Sequence, residues 1–310
     1  PVYGRGKRKT EIQRSYDEFL KYYEKLLEYE YWLDIIDERN SCSKTDHDAT
    51  MCATKMDYYC NTGLSRPCYN AQIAVSDGVI VNADLYQRPA DSKTFIPFME
   101  RYNEYNGEYP KHPMADAGYG SFENYMYCTD KKMELDMKYS MYTKKNEPKY
   151  KRNNKYNPLL WEMDEQGYKV CPNGYVFNQY VNEKYNEDGK YLRIIQLYEN
   201  KEKCGGCQFK ENCLKRRKGY KTVSRDVVLN EFYAEVDKNL STEQGKEMKK
   251  QRSIQVEGAF GVIKQDMKFT RFTRRGLKNT RMEFLLVCIG YNLRKYHNFR
   301  IKNKKKVVIN

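Results

Sequence analysis

Two carboxylates are the residues of this sequence best suited to chemistry. Asp116 lies in HPMADAGYGSFENY (112–125), between a short apolar approach and a turn with two glycines. Glu257 lies in RSIQVEGAFGVIKQDMKFTRFTRRG (252–276), inside a run of apolar and small residues. Because a buried carboxylate without a cation is unfavourable, this setting predicts a metal ion beside Glu257. Asp116 has a second interpretation, since Asp before Ala-Gly is common in ordinary turns.

The stretch around Glu257 has the periodicity of an amphipathic helix. Glu257 and Lys264 are seven residues apart, so two helical turns would direct both side chains the same way. A solvated charged face is the alternative interpretation of this pair. The apolar stripe on the neighbouring face is predicted at Val256, Phe260, Ile263 and Met267.

Four of the ten cysteines have the spacing of metal ligands. Cys204 and Cys207 form a CxxC pair, Cys213 follows them, and Cys171 precedes a predicted hairpin. The hairpin would bring the four thiols together as tetrahedral ligands of a structural Zn²⁺. Reduced free thiols are the alternative. The other cysteines lack such spacing, and Cys288 is predicted to lie in the core.

The charge of the chain is strongly basic and unevenly distributed. Lys and Arg outnumber Asp and Glu by 56 to 42, a net charge of +14, and residues 264–306 contain fourteen basic residues against Asp266 and Glu283. This pattern is typical of proteins that bind a polyanion, and it favours nucleic acid. The longest apolar run (284–291) is too short to cross a membrane, and the N-terminus lacks a signal-peptide core. We therefore expect a cytoplasmic protein without a membrane partner.

The hydrophobic pattern predicts helices and strands in a mixed order. Residues 12–36 form a predicted helix for packing or dimerisation, and 69–86 form a hairpin around Ser-Asp-Gly. This order favours a mixed α/β sheet. The next predicted elements are a helix capped by Asp91, a strand ending at Asp116, a helix capped by Ser121 and a strand over 133–142.

Composition divides the chain into four segments. A region rich in Lys, Asn and Tyr contains a second predicted hairpin around NEDGK. Helix resumes at a capping box formed by Ser241 and Gln244, and a last apolar helix covers 282–296. The predicted segments are an N-terminal helix (1–40), the first part of the core (41–142), a β-rich cysteine-containing insertion (143–230), and the second part of the core with a basic tail (231–310).

Several motifs, taken in order, resemble one protein family. YNAQ, ADAGYGSFENY, CPNG, the three later cysteines and VEGAFGVIKQDMKFTRFTRRG look like the DDE transposases of bacterial insertion sequences. The closest resemblance is to the branch with a long cysteine-containing insertion between the second Asp and the Glu. The resemblance spans about residues 43–296. It implies a ribonuclease H-like α/β fold with flanking helices, in which an Asp-Asp-Glu triad binds two divalent cations.

The resemblance implies roles for individual residues. Asp116 matches the second Asp of the triad and Glu257 matches its Glu, both as ligands of Mg²⁺ or Mn²⁺. Lys264 matches the lysine of the family's signature helix and is expected to act in catalysis. Ser253 stands where the signature has an arginine, and Arg252 beside it is the candidate replacement. A solubilising charged face is the alternative interpretation of the cations that follow Lys264. The residues expected to contact DNA are Arg252, Lys268, Arg271, Arg274 and Arg275.

The resemblance also implies an activity and partners. Such transposases hydrolyse a phosphodiester at the end of the element and join the freed 3′-hydroxyl to target DNA, so the expected partners are double-stranded DNA and a second copy of the chain. Nothing before Ser43 resembles the strand that carries the first Asp, and neither Asp46 nor Asp48 matches it. We therefore expect an N-terminally truncated transposase. A catalytically incomplete DNA-binding remnant is one alternative, and a zinc-containing nucleic-acid-binding module is another.

Overall fold

Helix α1 (Glu11–Ile36) is long and almost entirely exposed. Its N-cap is Thr10, whose hydroxyl accepts a hydrogen bond from the Gln13 backbone, and Gln13 is the one buried residue of α1. The predicted helix over 12–36 is confirmed. The computed structural model describes residues 9–54, 60–186, 189–215 and 218–307, with side chains described as far as residue 301.

The described strands form three separate antiparallel sheets. Strands β3 (Asn70–Ser76) and β4 (Val79–Tyr86) form the first predicted hairpin. Its turn residues Asp77 and Gly78 both have positive φ (50° and 77°), as a two-residue hairpin turn requires. The β5–β6 pair confirms the second hairpin, although Glu187 and Asp188 of its loop lie outside the described residues. The sheets are β1 (Thr50–Cys52) with β2 (Arg66–Cys68), β3 (Asn70–Ser76) with β4 (Val79–Tyr86), and β5 (Gln179–Asn186) with β6 (Arg193–Glu199) and β7 (Thr222–Arg225).

The helices that follow α1 surround these sheets and connect them. Helical backbone runs without a break from residue 243 to 266, because π-turns at Ser253–Glu257 and Val262–Asp266 flank a short α-helical piece. The helices are α2 (Phe95–Asn106), α3 (Phe122–Asp130), α4 (Pro148–Asn153), α5 (Lys201–Gly205), α6 (Lys210–Leu214), α7 (Val227–Ser241), α8 (Glu243–Arg252), α9 (Gly258–Gly261) and α10 (Leu277–Val307).

Side-chain caps confirm one predicted helix start and correct two others. Ser121 caps α3 as predicted, accepting a hydrogen bond from the Asn124 backbone. Thr242, not Ser241, caps α8, because its hydroxyl accepts from the Gly245 backbone at 2.9 Å. Asp91 does not cap α2. It begins a 3-10 turn, and its carboxylate accepts hydrogen bonds from side chains of β3 instead.

The predicted strands at 112–116 and 133–142 are wrong, since neither segment is a strand in the structure. A cavity of about 350 Å³ lies between β3 and residues 112–116, which have no ladder with β3 among the described residues. The segment from Met133 to Tyr139 is extended and mostly buried, but among the described residues it makes a single bridge, a parallel one between Tyr139 and Gly120. The mixed sheet is therefore absent from the described part of the chain.

The largest hydrophobic core joins the Asp116 region to helices from both sides of the cysteine-containing region. Phe95 and Phe98 of α2 pack with Tyr125 of α3 and with Val236 and Leu240 of α7. Leu135 and Met137 of the extended segment complete the same cluster. This core fixes the turn that carries Asp116 relative to α7, and α8 follows α7 directly.

A second core packs β4 against α10 and against the continuous helix over residues 243–266, which we call the Glu257 helix. Ala259 and Ile263 are buried with Phe284 and Cys288, so the prediction that Cys288 is a core residue is confirmed. At the outer edge of β4, the Asn292 amide bonds both the N–H and the C=O of Ile80, at 2.9 and 2.8 Å. The predicted apolar helix over 282–296 is part of the longer α10.

A third, smaller core lies within the cysteine-containing region. Trp161, Phe177, Tyr198 and Val223 form it, and three cysteines pack against its edge. At the coarse level the α/β class is confirmed, with several short sheets and helices. None of the described helices is long and apolar enough to span a bilayer.

Candidate functional site

Asp116 lies in a tight turn that its own atoms help to form. The Ala117 backbone donates to the Asp116 carboxylate at 2.8 Å, and the Tyr119 backbone donates to the Asp116 carbonyl at 3.1 Å. The Asp116 side chain remains 52% exposed. The turn thus fixes the backbone and leaves one carboxylate oxygen available for another partner.

Gly120 allows this turn to approach the extended segment behind it. A Cβ at this position would lie 2.1 Å from the Lys138 carbonyl oxygen and 2.7 Å from the Tyr125 hydroxyl. Gly120 also forms the parallel bridge with Tyr139. A residue with a side chain would therefore push the Asp116 turn away from its support.

A polar network ties the Asp116 turn to β3. The Tyr119 hydroxyl donates to the Gln72 side chain, and the Gln72 amide donates to Asn70 at 2.7 Å and to Asp91 at 3.2 Å. The Asn70 amide also donates to Asp91, at 2.9 Å. The YNAQ motif, which contains Asn70 and Gln72, therefore positions the turn, and burial raises the pKa of Tyr119 so that its hydroxyl stays protonated.

Glu257 is not buried, contrary to the sequence-based expectation. It lies at the end of the first π-turn, and its side chain is 69% exposed, while Ala259 and Ile263 of the same helix face the core. The apolar neighbours in the sequence therefore point away from the carboxylate. A cation is not needed to compensate for burial at this position, so the argument for metal must rest on the neighbours of Glu257.

Arg252 joins the two carboxylates. Its guanidinium lies 3.5 Å from Asp116 Oδ2 through one nitrogen and 3.5 Å from Glu257 Oε1 through the other. The Arg252 side chain is only 19% exposed. The predicted DNA-contacting arginine is thus directed at the carboxylates. Its position one residue from the signature arginine was the only sequence signal for this role.

The donor set at this site suits a hard divalent cation but is incomplete. Carboxylate oxygens are the ligands that Mg²⁺ and Mn²⁺ prefer, and Asp116 and Glu257 are close enough to share one cationic group. Among the described residues, no three or more Asp, Glu, His or Cys side chains are arranged as a metal-binding group. Asp46 and Asp48 are not nearby candidates for the third ligand, because both accept backbone hydrogen bonds at the start of α10, from Gly276 and Leu277.

Lys264 does not contact either carboxylate in the described structure. It is exposed, and its ammonium lies 5.5 Å from the centre of the Phe260 ring. Each π-turn contains more residues per turn than an α-helix, so seven residues here cover less than two full turns. The predicted alignment of Lys264 with Glu257 assumed regular α-helical spacing, which this helix does not have.

The loop after this helix presents its cations to solvent. We call residues 267–276 the basic loop. Lys268 has positive φ (58°) at the turn that ends the helix. No salt bridge joins the cations of the basic loop to a carboxylate in the described structure. The exposed cations are Lys268, Arg271, Arg274 and Arg275.

Glu283 of α10 anchors the basic loop. Its carboxylate accepts hydrogen bonds from the Thr273 backbone and hydroxyl, at 3.0 and 2.7 Å, and from the Arg274 backbone at 3.2 Å. Burial alone would raise the pKa of Glu283, but these hydrogen bonds and the Arg274 charge outweigh it and lower the pKa. The loop is therefore held by an ionised carboxylate, which leaves its arginines pointing outward.

The cavity beside Asp116 is also lined by a histidine, His112. His112 Nδ1 lies 2.9 Å from the carboxylate of Asp136, which is 2% exposed. Burial raises the pKa of Asp136, and His112 partly offsets the increase. Both His112 and Arg252 line the cavity between β3 and the Asp116 segment. This pair supports the segment from behind, and its spacing in sequence gave no signal.

The four predicted metal-binding cysteines converge on one cavity at the edge of the third core. Cys171, Cys204, Cys207 and Cys213 all line it, and all four are half-buried and reduced. Burial and the neighbouring thiols raise the pKa of Cys204, and burial raises that of Cys213 although Lys221 lowers it. The convergence that the spacing predicted is therefore present.

Comparison with known families agrees with the motifs. Residues 170–297 match the family model described as transposase DDE domain, a range that includes Arg252, Glu257 and the four cysteines but not Asp116. Comparisons with curated proteins and with solved structures gave no match. The match supports the resemblance to DDE transposases over residues 170–297, which are less than half of the chain. A bacterial insertion sequence as the source and an N-terminal truncation stay predictions.

Proposed function

We propose that this chain is the catalytic part of a transposase that cuts and joins DNA at the ends of a bacterial insertion sequence. The observation that carries the proposal is the meeting of Asp116 and Glu257 at one guanidinium, although a long cysteine-containing segment separates them in sequence. A ribonuclease H-like core, with the segments expected from the sequence, and action on the chromosome in the bacterial cytoplasm belong to the same proposal.

In this proposal Asp116 and Glu257 hold Mg²⁺ or Mn²⁺. A bound divalent cation activates the attacking hydroxyl and stabilises negative charge on the leaving oxygen. The turn locked by Gly120 and Tyr119 would keep the Asp116 oxygen in place. Arg252 would balance the two carboxylates before the cation binds, and would then be free to contact a DNA phosphate.

The basic loop supplies the DNA contacts of the proposal. Its four cations are exposed and carry no salt bridge within the described residues, so they are accessible to DNA phosphates. The loop follows the Glu257 helix directly, which would place phosphate contacts next to the cutting site. Lys264, four residues before Lys268, is also exposed and would contribute to the same contacts.

The test is cleavage of a supercoiled plasmid that carries the gene with its flanking DNA. With Mg²⁺ or Mn²⁺ the chain should convert supercoiled plasmid to nicked circles at the element ends, and EDTA should stop the reaction. Asp116→Asn and Glu257→Gln should each abolish nicking without changing the circular dichroism spectrum. The matched control is Glu235→Gln, an exposed glutamate of α7, which should nick like the parent chain.

The outcomes separate the proposal from its alternative. Unchanged nicking in either site variant would contradict the roles of Asp116 and Glu257. If no form of the chain nicks, but the parent chain still binds the plasmid in a salt-dependent manner, the DNA-binding remnant is supported instead. The observation that favours this alternative is the absence of a third acidic ligand among the described residues.

We further propose that α1 pairs with α1 of a second copy. Residues 12, 16, 19, 23, 26 and 33 of this helix are apolar and follow alternating steps of about four and three, with Glu30 as a gap, a pattern typical of a coiled-coil seam. These positions are exposed in the single chain; Ile12 is 84% and Phe19 is 72% exposed. A seam of this spacing fits a second helix of the same kind, and a dimer would bring two element ends together.

Light scattering after size exclusion tests the α1 dimer. The parent chain should have the mass of a dimer, with or without DNA. Phe19→Glu places a charge in the seam and should give monomers. Lys21→Glu introduces the same residue on the opposite side of α1 and should leave the dimer intact. A parent chain that stays monomeric under both conditions would rule out this pairing.

A further inference from the structure

Four thiols from two distant parts of the chain line one small cavity. Cys171 comes from the loop before β5, whereas Cys204, Cys207 and Cys213 come from α5, α6 and the turn between them. Cys171, Cys204 and Cys213 pack against the third core, beside Trp161. The thiols are therefore held by a hydrophobic cluster of their own, separate from the two cores that support the carboxylates.

The loop around Cys171 supplies N–H groups that point at sulfur. Gly174, with φ +78°, closes a tight turn by donating to the Cys171 carbonyl at 2.8 Å. The Tyr175 backbone then donates to Cys171 Sγ at 3.4 Å, and the Asn173 amide donates to Cys207 Sγ at 3.8 Å. These hydrogen bonds orient two of the four sulfurs in the cavity.

The size and charge of the cavity limit what it can hold. Its volume is about 30 Å³, more than the roughly 10–15 Å³ that one water molecule requires on the same measure. A single metal ion fits such a space. Lys210 and Lys221 also line the cavity, and their charges would offset the negative charge of several thiolates.

We propose that Cys171, Cys204, Cys207 and Cys213 bind one Zn²⁺ ion, which closes the cysteine-containing region. Among the described residues the thiols do not yet form a group arranged at ligand distances, so binding requires the side chains to rotate toward the centre of the cavity. Each thiol would lose its proton to solvent and form one sulfur–zinc bond, with no change in oxidation state. This site is distinct from the carboxylate site and does not depend on the proposed transposition.

A zinc ion at this place would have a structural role. The helices α5 and α6 contain five residues each, and such short helices are marginal without tertiary support. The third core beside them is small, with four buried residues. A metal that links Cys171 to both helices would supply the stability that these contacts lack.

The experiment measures metal in the purified chain, prepared under reducing conditions with Zn²⁺ in the growth medium. Inductively coupled plasma mass spectrometry should find about one zinc ion per chain, as four ligands around one ion require. Cys204→Ser and Cys213→Ser should each reduce zinc at least about fivefold, because three thiolates hold the metal more weakly than four. The control Cys60→Ser, an exposed cysteine outside the cluster, should keep the zinc of the parent chain.

A second measurement covers the case in which the serine variants fail to fold. Replacement of zinc by Co²⁺ in the parent chain should give the visible and near-ultraviolet bands of tetrahedral cobalt with thiolate ligands. Absence of both zinc and these cobalt bands in the folded parent chain would overturn the proposal. Recovery of iron instead of zinc, or full zinc content in Cys204→Ser, would overturn it as well. Plasmid nicking is recorded separately, so failure here leaves the transposase proposal unaffected.

Discussion

Asp116 and Glu257 reach the same guanidinium from opposite kinds of surroundings. Asp116 lies in a turn held by a glycine contact, a parallel bridge and a network of polar side chains. Glu257 lies on the open side of a helix with π-turns, and Arg252 is the only ion-pair partner it has among the described residues. The site therefore has a rigid half, the turn around Asp116, and an adjustable half, the Glu257 helix. π-turns are frequent where a helix carries function, which agrees with the adjustable half being the Glu257 helix.

The largest expected effect is a difference in stability between two variants, one that adds a methyl group to the Asp116 turn and one that adds it to the Glu257 helix. Gly120→Ala should lower the free energy of unfolding by about 3 kcal/mol, because its Cβ would overlap the Lys138 carbonyl. Gly261→Ala on the Glu257 helix meets no atom within 4 Å and should be neutral or stabilising by up to about 1 kcal/mol. Urea denaturation of both variants checks this. Similar losses in the two variants would refute the contrast.

The second largest effect is expected for Arg252, which lies between the Asp116 turn and the Glu257 helix. Arg252→Gln removes the positive charge between the two carboxylates and should strengthen binding of Mn²⁺ about tenfold, since the ion no longer competes with the guanidinium. Electron paramagnetic resonance of free Mn²⁺ measures the affinity. Lys250→Gln removes an exposed charge two residues earlier and is expected to have little effect. Weaker binding in Arg252→Gln would mean that the arginine holds the carboxylates in place for the metal.

Part of this site could be predicted from sequence and part could not. The turn around Asp116 and the cap at Ser121 follow local rules, because short-range hydrogen bonds determine both. The exposure of Glu257 could not be predicted, since π-turns change the helical spacing on which the expectation rested. The strands at 112–116 and 133–142 failed for another reason. A strand needs a partner at the right distance, and a cavity separates β3 from the first of these segments.

Contacts between residues far apart in sequence could be predicted only where the spacing of the residues is typical of a metal site or a hairpin. The CxxC pair and the hairpin predicted that four cysteines meet, and they do line one cavity. The second hairpin was predictable because its strands alternate around a turn signal. The link from Arg252 to Asp116 and the pair of His112 with Asp136 had no such pattern. They depend on tertiary packing of the large core.

A smaller effect tests whether the adjustable half also contacts DNA. Replacing Arg271 and Arg275 together by Ala should weaken binding to duplex DNA of any sequence. It should also reduce the slope of log K against log salt by about 2, roughly 0.9 for each lost phosphate contact. Fluorescence anisotropy at several salt concentrations gives the slope. Lys184→Ala, an exposed lysine of β5, is the control, and an equal change there would contradict a specific role of the basic loop.

The smallest effect concerns the anchor of that loop. Glu283→Gln should lower the free energy of unfolding at neutral pH by about 1 kcal/mol, because an amide accepts the Thr273 and Arg274 hydrogen bonds less strongly. The folded-state pKa of Glu283 is lowered, so its stabilisation is present above the unfolded pKa of about 4.3 and is lost as pH falls through the folded pKa.

Denaturation at neutral and at acid pH measures this difference. The parent chain and Glu283→Gln should differ at neutral pH and converge at a pH below the folded pKa. Glu235→Gln, an exposed residue of α7, should match the parent chain at both. A difference between parent and Glu283→Gln that persists unchanged in acid would show that the ionised carboxylate is not the anchor.

The position of Arg252 also affects how DNA reaches the site over longer distances. Two ionised carboxylates alone would present two negative charges to an incoming phosphodiester. With the guanidinium 3.5 Å from each of them, the three groups together carry a net charge of −1. Long-range repulsion of a phosphate is therefore about half of what the bare acids would cause, before screening by salt. In the proposed function, a site that binds cations would thus repel the incoming polyanion less, which would favour fast association with DNA.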